Sequence, residues 1–280
     1  MSYVNETIQT EAQQQTGTPV DAEAVAAIRE TRTAIDAIKE SRRQDAVAAI
    51  ERATGKIDIL LARNPNTALL PVDRQVAVFD TAPGDIDDIR DIGAAADDAV
   101  ELGDFPHARG LLYGLMSEVR IQTLNLPLGS YPTALSTAAR LLEQKRNDDA
   151  ATVLNNALST LVVTDRIIPI PMLVARRELE EAQEEREKNK EGALQSVESA
   201  KKELQLAQEL GYAIGDPDYQ ALHDQLSDLH KQLKSNADTN SLFSKIRERL
   251  ASLLKRQSQR EYAQPGTREH PHLEKEKKAA

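Results

Sequence analysis

An alanine followed nineteen residues later by a proline occurs three times in this chain, each time with apolar residues at the same offsets. The windows run from Ala46 to Pro65, from Ala108 to Pro127 and from Ala150 to Pro169. Ile50, Leu112 and Leu154 lie four residues after the alanine, Ile57, Val119 and Leu161 eleven after it, and Ile38, Val100 and Leu142 eight before it. Apolar residues at such spacings line one side of a helix. A polar break precedes each alanine, so the pattern reads as a degenerate internal repeat of a helix–turn–helix unit. The expected fold class is all-α. Antiparallel helical hairpins over 21–63, 84–126 and 133–168 stack on one another, and each second helix stops before its proline.

Composition supports that class. The chain is 40% apolar, but only 3% is aromatic and Trp is absent, so the core must be built from Ala, Leu, Ile and Val. With 12 Gly and 12 Pro in 280 residues, there is too little turn chemistry for a chain of many short strands. Two stretches are ambiguous. After Pro65 and Pro71, Val72, Val76 and Phe79 suggest a short helix. The run LVVTDRIIPIP is rich in β-branched residues, which favour strands, but its prolines favour a helix that unwinds before Pro169.

From Arg176 the composition changes. A nearly all-charged helix is expected to end near Gly192, and to pair with a helix carrying Leu194, Val197, Ala200, Leu204 and Leu210 and ended by Gly211. A third helix, over 218–234, carries Leu222, Leu226, Leu229 and Leu233. Residues 241–260 form an amphipathic helix. Its apolar face is Leu242, Phe243, Ile246, Leu250, Leu253 and Leu254, and it holds the chain's one basic concentration. That face must pack on the domain, on another chain or, as a peripheral contact, on a membrane surface. The expected organisation is a flexible segment over 1–20, one helical domain over 21–257 and a disordered charged tail over 258–280.

Several classes of function are disfavoured. The net charge is −10, and residues 72–104 hold ten acidic residues against Arg74 and Arg90, which argues against nucleic-acid binding. There is no cysteine, hence no disulfide, thiol nucleophile or zinc-thiolate site. No Gly-rich phosphate loop occurs, and neither Ser130 nor Ser159 sits in a nucleophile elbow. His223 and His230 are seven residues apart, too far along one helix to share a metal. Asp87, Asp88, Asp91, Asp97 and Asp98 lack the order of a calcium loop and read as a solvated face. The expectation is therefore no enzyme, no metal and no cofactor. No window of 18 uninterrupted apolar residues is present, and the first residues do not read as a secretory signal. The chain reads as cytoplasmic as written, or periplasmic if this is a mature form.

Polar residues beside the proline-bearing stretches are the candidate site: Asn64 and Asp73, Asn125 and Tyr131, and Thr164 and Asp165. Two readings stay open. Asp73, Tyr131 and Asp165 cap helices and lock turns, or the six residues form a polar rim, over a surface of Leu69, Leu70, Leu126, Ile167 and Ile168, that frames a ligand or partner site.

NPNTALLPVD at 64–73, TLNLPLGSYPTAL at 123–135 and ALSTLVVTDRIIPIP at 157–171, in that order, resemble the bacterial YfdX family. The helix pair over 22–62 and the ending AQELGY at 207–212 fit it too, so the resemblance spans roughly 22–256. It implies a helical fold without catalytic activity, a link to stress responses such as acid resistance, and ligand or lipid binding. It also implies export in many members, through a signal this sequence does not show. The resulting expectation is a non-enzymatic binding or scaffold protein that forms a homo-oligomer or takes a protein partner. The alternative is a carrier holding a small apolar ligand or lipid in a cleft between helices.

Overall fold

The computed structural model describes residues 19–212 and 214–258; the expected N-terminal segment and charged tail lie outside these residues except at their inner ends. Three times in succession the chain forms two helices and then a strand. Helices α1 (Ala22–Lys39) and α2 (Arg43–Arg63) lead to β1 (Leu69–Asp80). Helices α3 (Ile86–Glu101) and α4 (Phe105–Tyr113) lead to β2 (Ser117–Pro127). Helices α5 (Tyr131–Glu143) and α6 (Asn147–Ser159) lead to β3 (Val162–Pro169). Four further helices follow: α7 (Ile170–Glu185), α8 (Lys190–Glu209), α9 (Pro217–Lys234) and α10 (Asn240–Ser258).

Each helix pair forms a hairpin, over 22–63, 86–113 and 131–159, and the three turns are built alike. Ser41, Gly103 and Lys145 each adopt a positive φ, of 59°, 74° and 61°. In each turn the next residue's amide (Arg42, Asp104, Arg146) reaches back to the carbonyl of Ala37, Ala99 or Leu141, the bond that closes a left-handed helix C-cap. All three turn residues stand five positions before the repeated alanine.

The all-α expectation needs correction. Only α2 runs on to its proline, ending at Arg63 with Asn64 as C-cap. Helices α4 and α6 end at Tyr113 and Ser159, and Pro127 and Pro169 close strands instead. Val72, Val76 and Phe79 belong to β1 rather than to a helix. The strands form one antiparallel sheet in the order β1-β2-β3. Its ends are fastened by Thr81 N donating to Met116 O and by Leu128 N donating to Ala68 O. The central strand explains the misreading. Val119, Ile121 and Thr123 alternate with Glu118, Arg120 and Gln122, a period-two run of β-branched residues that also satisfies a loose helical spacing. Its partner strands lie tens of residues away, and only they can satisfy its backbone. Nor do Pro169 and Pro171 stop a helix. Pro169 is the N-cap of α7 and Pro171 sits in its first turn, where a missing amide proton leaves nothing unpaired.

The described chain falls into two compact units, 19–78 with 119–164 and 79–118 with 165–258, the boundaries lying within the three strands. In the first unit the outer hairpins pack reciprocally, α1 on α6 and α2 on α5. Ile35, Ile38, Ile50, Ile57, Leu135, Leu142 and Leu154 join one buried cluster with the alanines between them. Those small residues let the helix axes approach closely.

In the second unit α7 and α8 form the expected antiparallel hairpin, but their turn precedes Gly192. Asn189 caps α8 by accepting from Gly192 N at 3.0 Å, and a side chain at Gly192 would run into Asn189 and the Glu185 carboxylate. Helix α10 packs on α9 and α7, burying Phe243, Ile246, Leu250, Leu253 and Leu254. Arg256 grips the N-cap carboxylate of α9 with two bonds, Nε to Asp216 Oδ2 at 2.9 Å and Nη2 to Asp216 Oδ1 at 2.8 Å. The apolar face of α10 therefore belongs to the core of its unit. No helix among the described residues is long and apolar enough to cross a membrane.

Candidate functional site

Of the six polar residues expected to form a rim, the structure joins two. Asn125, buried on the central strand, has its Nδ2 within 3.0–3.1 Å of Thr123 O, Val162 O and Thr164 Oγ1. Tyr131, fully buried at the start of α5, donates its hydroxyl to Thr31 Oγ1 at 2.9 Å, a partner the sequence reading did not name. Asn64 donates from Nδ2 to Leu60 O at 3.0 Å, and Asp73 accepts from Arg74 N at 2.8 Å, so both bond to nearby backbone. Asp165 has a buried Oδ1 without a hydrogen-bond partner among the described residues.

The capping reading therefore needs correction for three residues. Asp73 and Asp165 lie in strands, and the Tyr131 hydroxyl reaches across to α1 instead of closing its own helix. Of the five apolar residues expected beneath such a rim, Leu70, Leu126, Ile167 and Ile168 are buried and Leu69 is half-buried. The cleft nearest to the expectation lies beside Tyr131 and is lined by Ala134, Val153, Asn156, Ala157 and Thr160; its volume is about 220 Å³.

The second unit holds a polar group that no motif announced. Tyr212 closes the AQELGY stretch; it accepts from Ser117 N at 3.0 Å and donates to Glu118 Oε2 at 2.9 Å. Ser117 Oγ donates to Asp80 Oδ1 at 2.9 Å. Burial pushes the Glu203 carboxyl up to about 7, reinforced by the negative charges of Glu178 and Asp80 and opposed by Lys202. Such a group can hold a proton near neutral pH. These residues come from positions 80 to 212, so no local spacing could have revealed them.

The largest departure concerns the hairpin α3–α4. Val100 and Leu112, placed in the core by the repeat, are exposed, as are Leu102, Phe105 and Tyr113. Within α3 the buried residues are Ile89, Ala96 and Ala99. The hairpin leans on α8, where Arg90 Nη2 meets Glu209 Oε1 at 2.6 Å. Tyr113 sets its ring edge-on to Phe79, with centroids 6.2 Å apart. The aspartates of α3 are solvated, as their spacing implied. A signal for the exposed face was present in the sequence. Leu102 and Phe105 flank the turn where the other two hairpins carry Glu40 and Gln144, and Arg43 and Asn147.

The family model for YfdX protein matches residues 27–166, from within α1 to within β3. This chain belongs to the YfdX family. The match takes in the three helix–helix–strand units and ends where the helices α7 to α10 of the second unit have yet to begin. A solved structure of YfdX from Salmonella Typhi is similar at 15% sequence identity. The alignment covers 54% of this chain and 93% of that one, with a TM-score of 0.38. No curated protein matches the chain.

Proposed function

We propose that this YfdX protein is a non-enzymatic binding protein that acts through the exposed apolar face of α3–α4 in a bacterial stress response. The observation that carries the reading is that face: Val100, Leu102, Phe105 and Leu112 stand in solvent, whereas the residues matching Val100 and Leu112 on the other two hairpins are buried. Large apolar side chains exposed close together within one short hairpin mark a candidate site of association. The stress role, acid resistance in particular, follows from family resemblance. The test is survival of acid challenge in a bacterial strain lacking the protein. Expression of the wild-type chain restores survival, and Leu102→Ser/Leu112→Ser at equal abundance does not. Full rescue by the variant would remove this face from the function.

A carrier is the second reading, and the cleft beside Tyr131 is the observation that favours it. At about 220 Å³ it falls below the ~300–1,000 Å³ of ordinary ligand pockets, which suits a very small apolar ligand better than an acyl chain. Thermal-shift titration with fatty acids and small apolar metabolites separates the two readings. A saturating shift abolished by Val153→Trp would support the carrier.

A further inference from the structure

We propose that the outer face of α3–α4 docks a basic amphipathic helical segment of a partner protein. The proposal rests on the reading of that face as the binding surface and adds the chemistry of what it takes.

The shape of the occupant comes from the hairpins themselves. Ile38 and Leu142, eight residues before the repeated alanine, are 6% and 0% exposed, whereas Val100 is 48% exposed. Ile50 and Leu154, four after it, are 2% and 0% exposed, whereas Leu112 is 52% exposed. In the first unit these residues belong to the one buried cluster formed where the two hairpins pack on each other. The same positions on α3–α4 are therefore surfaced to receive a helix. Leu102 and Phe105, 85% and 56% exposed, extend the apolar seam around the turn.

The charge of the occupant comes from the rim. Residues 85–113 carry eight carboxylates, including Asp97, Asp98, Glu101 and Asp104 beside the seam, against Arg90 and Arg109, a net of −6. The two hairpins that do pair carry +1 over 22–63 and 0 over 131–159, and Arg43 of one meets Glu143 of the other at 3.2 Å. A second copy would bring another −6 against the first, and an anionic membrane surface would be repelled. A helix with a Leu/Ile seam flanked by Lys and Arg satisfies both features.

The test uses the full-length chain and a labelled Leu–Lys amphipathic peptide of about five turns (~18 residues). A Leu–Glu peptide of the same pattern, anionic phosphatidylglycerol vesicles and sedimentation velocity of the protein alone complete the set. The expected result is binding of the Leu–Lys peptide only, weakened at least about tenfold by Leu102→Ser/Leu112→Ser and by Asp97→Asn/Asp98→Asn/Glu101→Gln, and falling with added salt. Glu181→Gln/Glu184→Gln, on α7, leaves it unchanged. All variants alter exposed side chains, and unchanged melting curves verify their folds. Equal weakening by the α7 variant would show non-specific attraction and overturn the proposal. A dimer of the protein alone that Leu102→Ser/Leu112→Ser dissociates would identify a second copy as the occupant. Vesicle binding lost in that variant would identify a membrane. Each of these two outcomes keeps the docking face and rejects the basic partner. Binding that ignores both substitutions on the face rejects the face as well.

Discussion

The hydroxyl of Tyr131 donates to Thr31 Oγ1 at 2.9 Å, and the Thr31 hydroxyl donates in turn to the carbonyl of Ala27, also at 2.9 Å. Burial raises the Tyr131 pKa, so the phenol remains the donor across the ordinary pH range. Tyr131→Phe is expected to lower the unfolding free energy by about 1 kcal/mol, the worth of one hydrogen bond. Thr31→Val leaves the buried phenol unpaired and is expected to cost about 1–3 kcal/mol. The double variant should cost less than the two single ones added together. Urea denaturation of the four proteins measures the coupling directly.

Leu112 and Leu154 occupy the same place in the repeat but not in the fold. Leu154 is buried, and Leu154→Ala is expected to cost about 2–5 kcal/mol through lost burial and the cavity left behind. Leu112→Ala is expected to stay within about 0.5 kcal/mol. Equal losses in chemical denaturation would show that α3–α4 is covered in solution.

The three hairpin turns place Ser41, Gly103 and Lys145 at positive φ, a conformation that only glycine adopts without strain. Lys145→Gly is expected to stabilise the protein by about 1 kcal/mol, and Gly103→Ala to destabilise it by about the same amount. Opposite movements of the melting temperature are the sign to look for.

Glu203 gives stability a slope with pH. Its carboxyl is raised from 4.5 to about 7 on folding, so ionisation is unfavourable in the folded state. Below pH 4.5 both states are protonated and no penalty applies; above about 7 the whole penalty is present. Stability should therefore rise as the pH falls from about 8 toward 5, by on the order of 1 kcal/mol once solvent screening of this partly exposed group is allowed for. Glu203→Gln should flatten that part of the curve and be the more stable protein at about pH 8. A wild-type profile that instead falls steadily over the same range, unchanged by the substitution, would contradict this account.

Much of the architecture was legible. Most of the helices, the polar turns of the three hairpins and the pairing of α7 with α8 follow from spacing that each window carries within itself. The candidate site was legible only in part. Asn125, Thr164 and Tyr131 stood out as polar residues beside prolines, and the bonds they make here join parts of the fold to one another. The partners of Tyr131 and Tyr212, Thr31 and Glu118, sit 100 and 94 residues away in sequence.

Local pattern by itself determined where the three hairpins turn, because left-handed turn residues and apolar stripes act within a few residues. Tertiary structure alone decided two things. The first is that VRIQTLNL and VVTDRIIP are strands: a strand's hydrogen bonds lie on other strands, and both segments carry patterns that serve either state. The second is that Val100 and Leu112, alike in the repeat to buried residues of the other two hairpins, stay in solvent. Burial belongs to a pair of surfaces, and the sequence of one surface does not say whether the other is there.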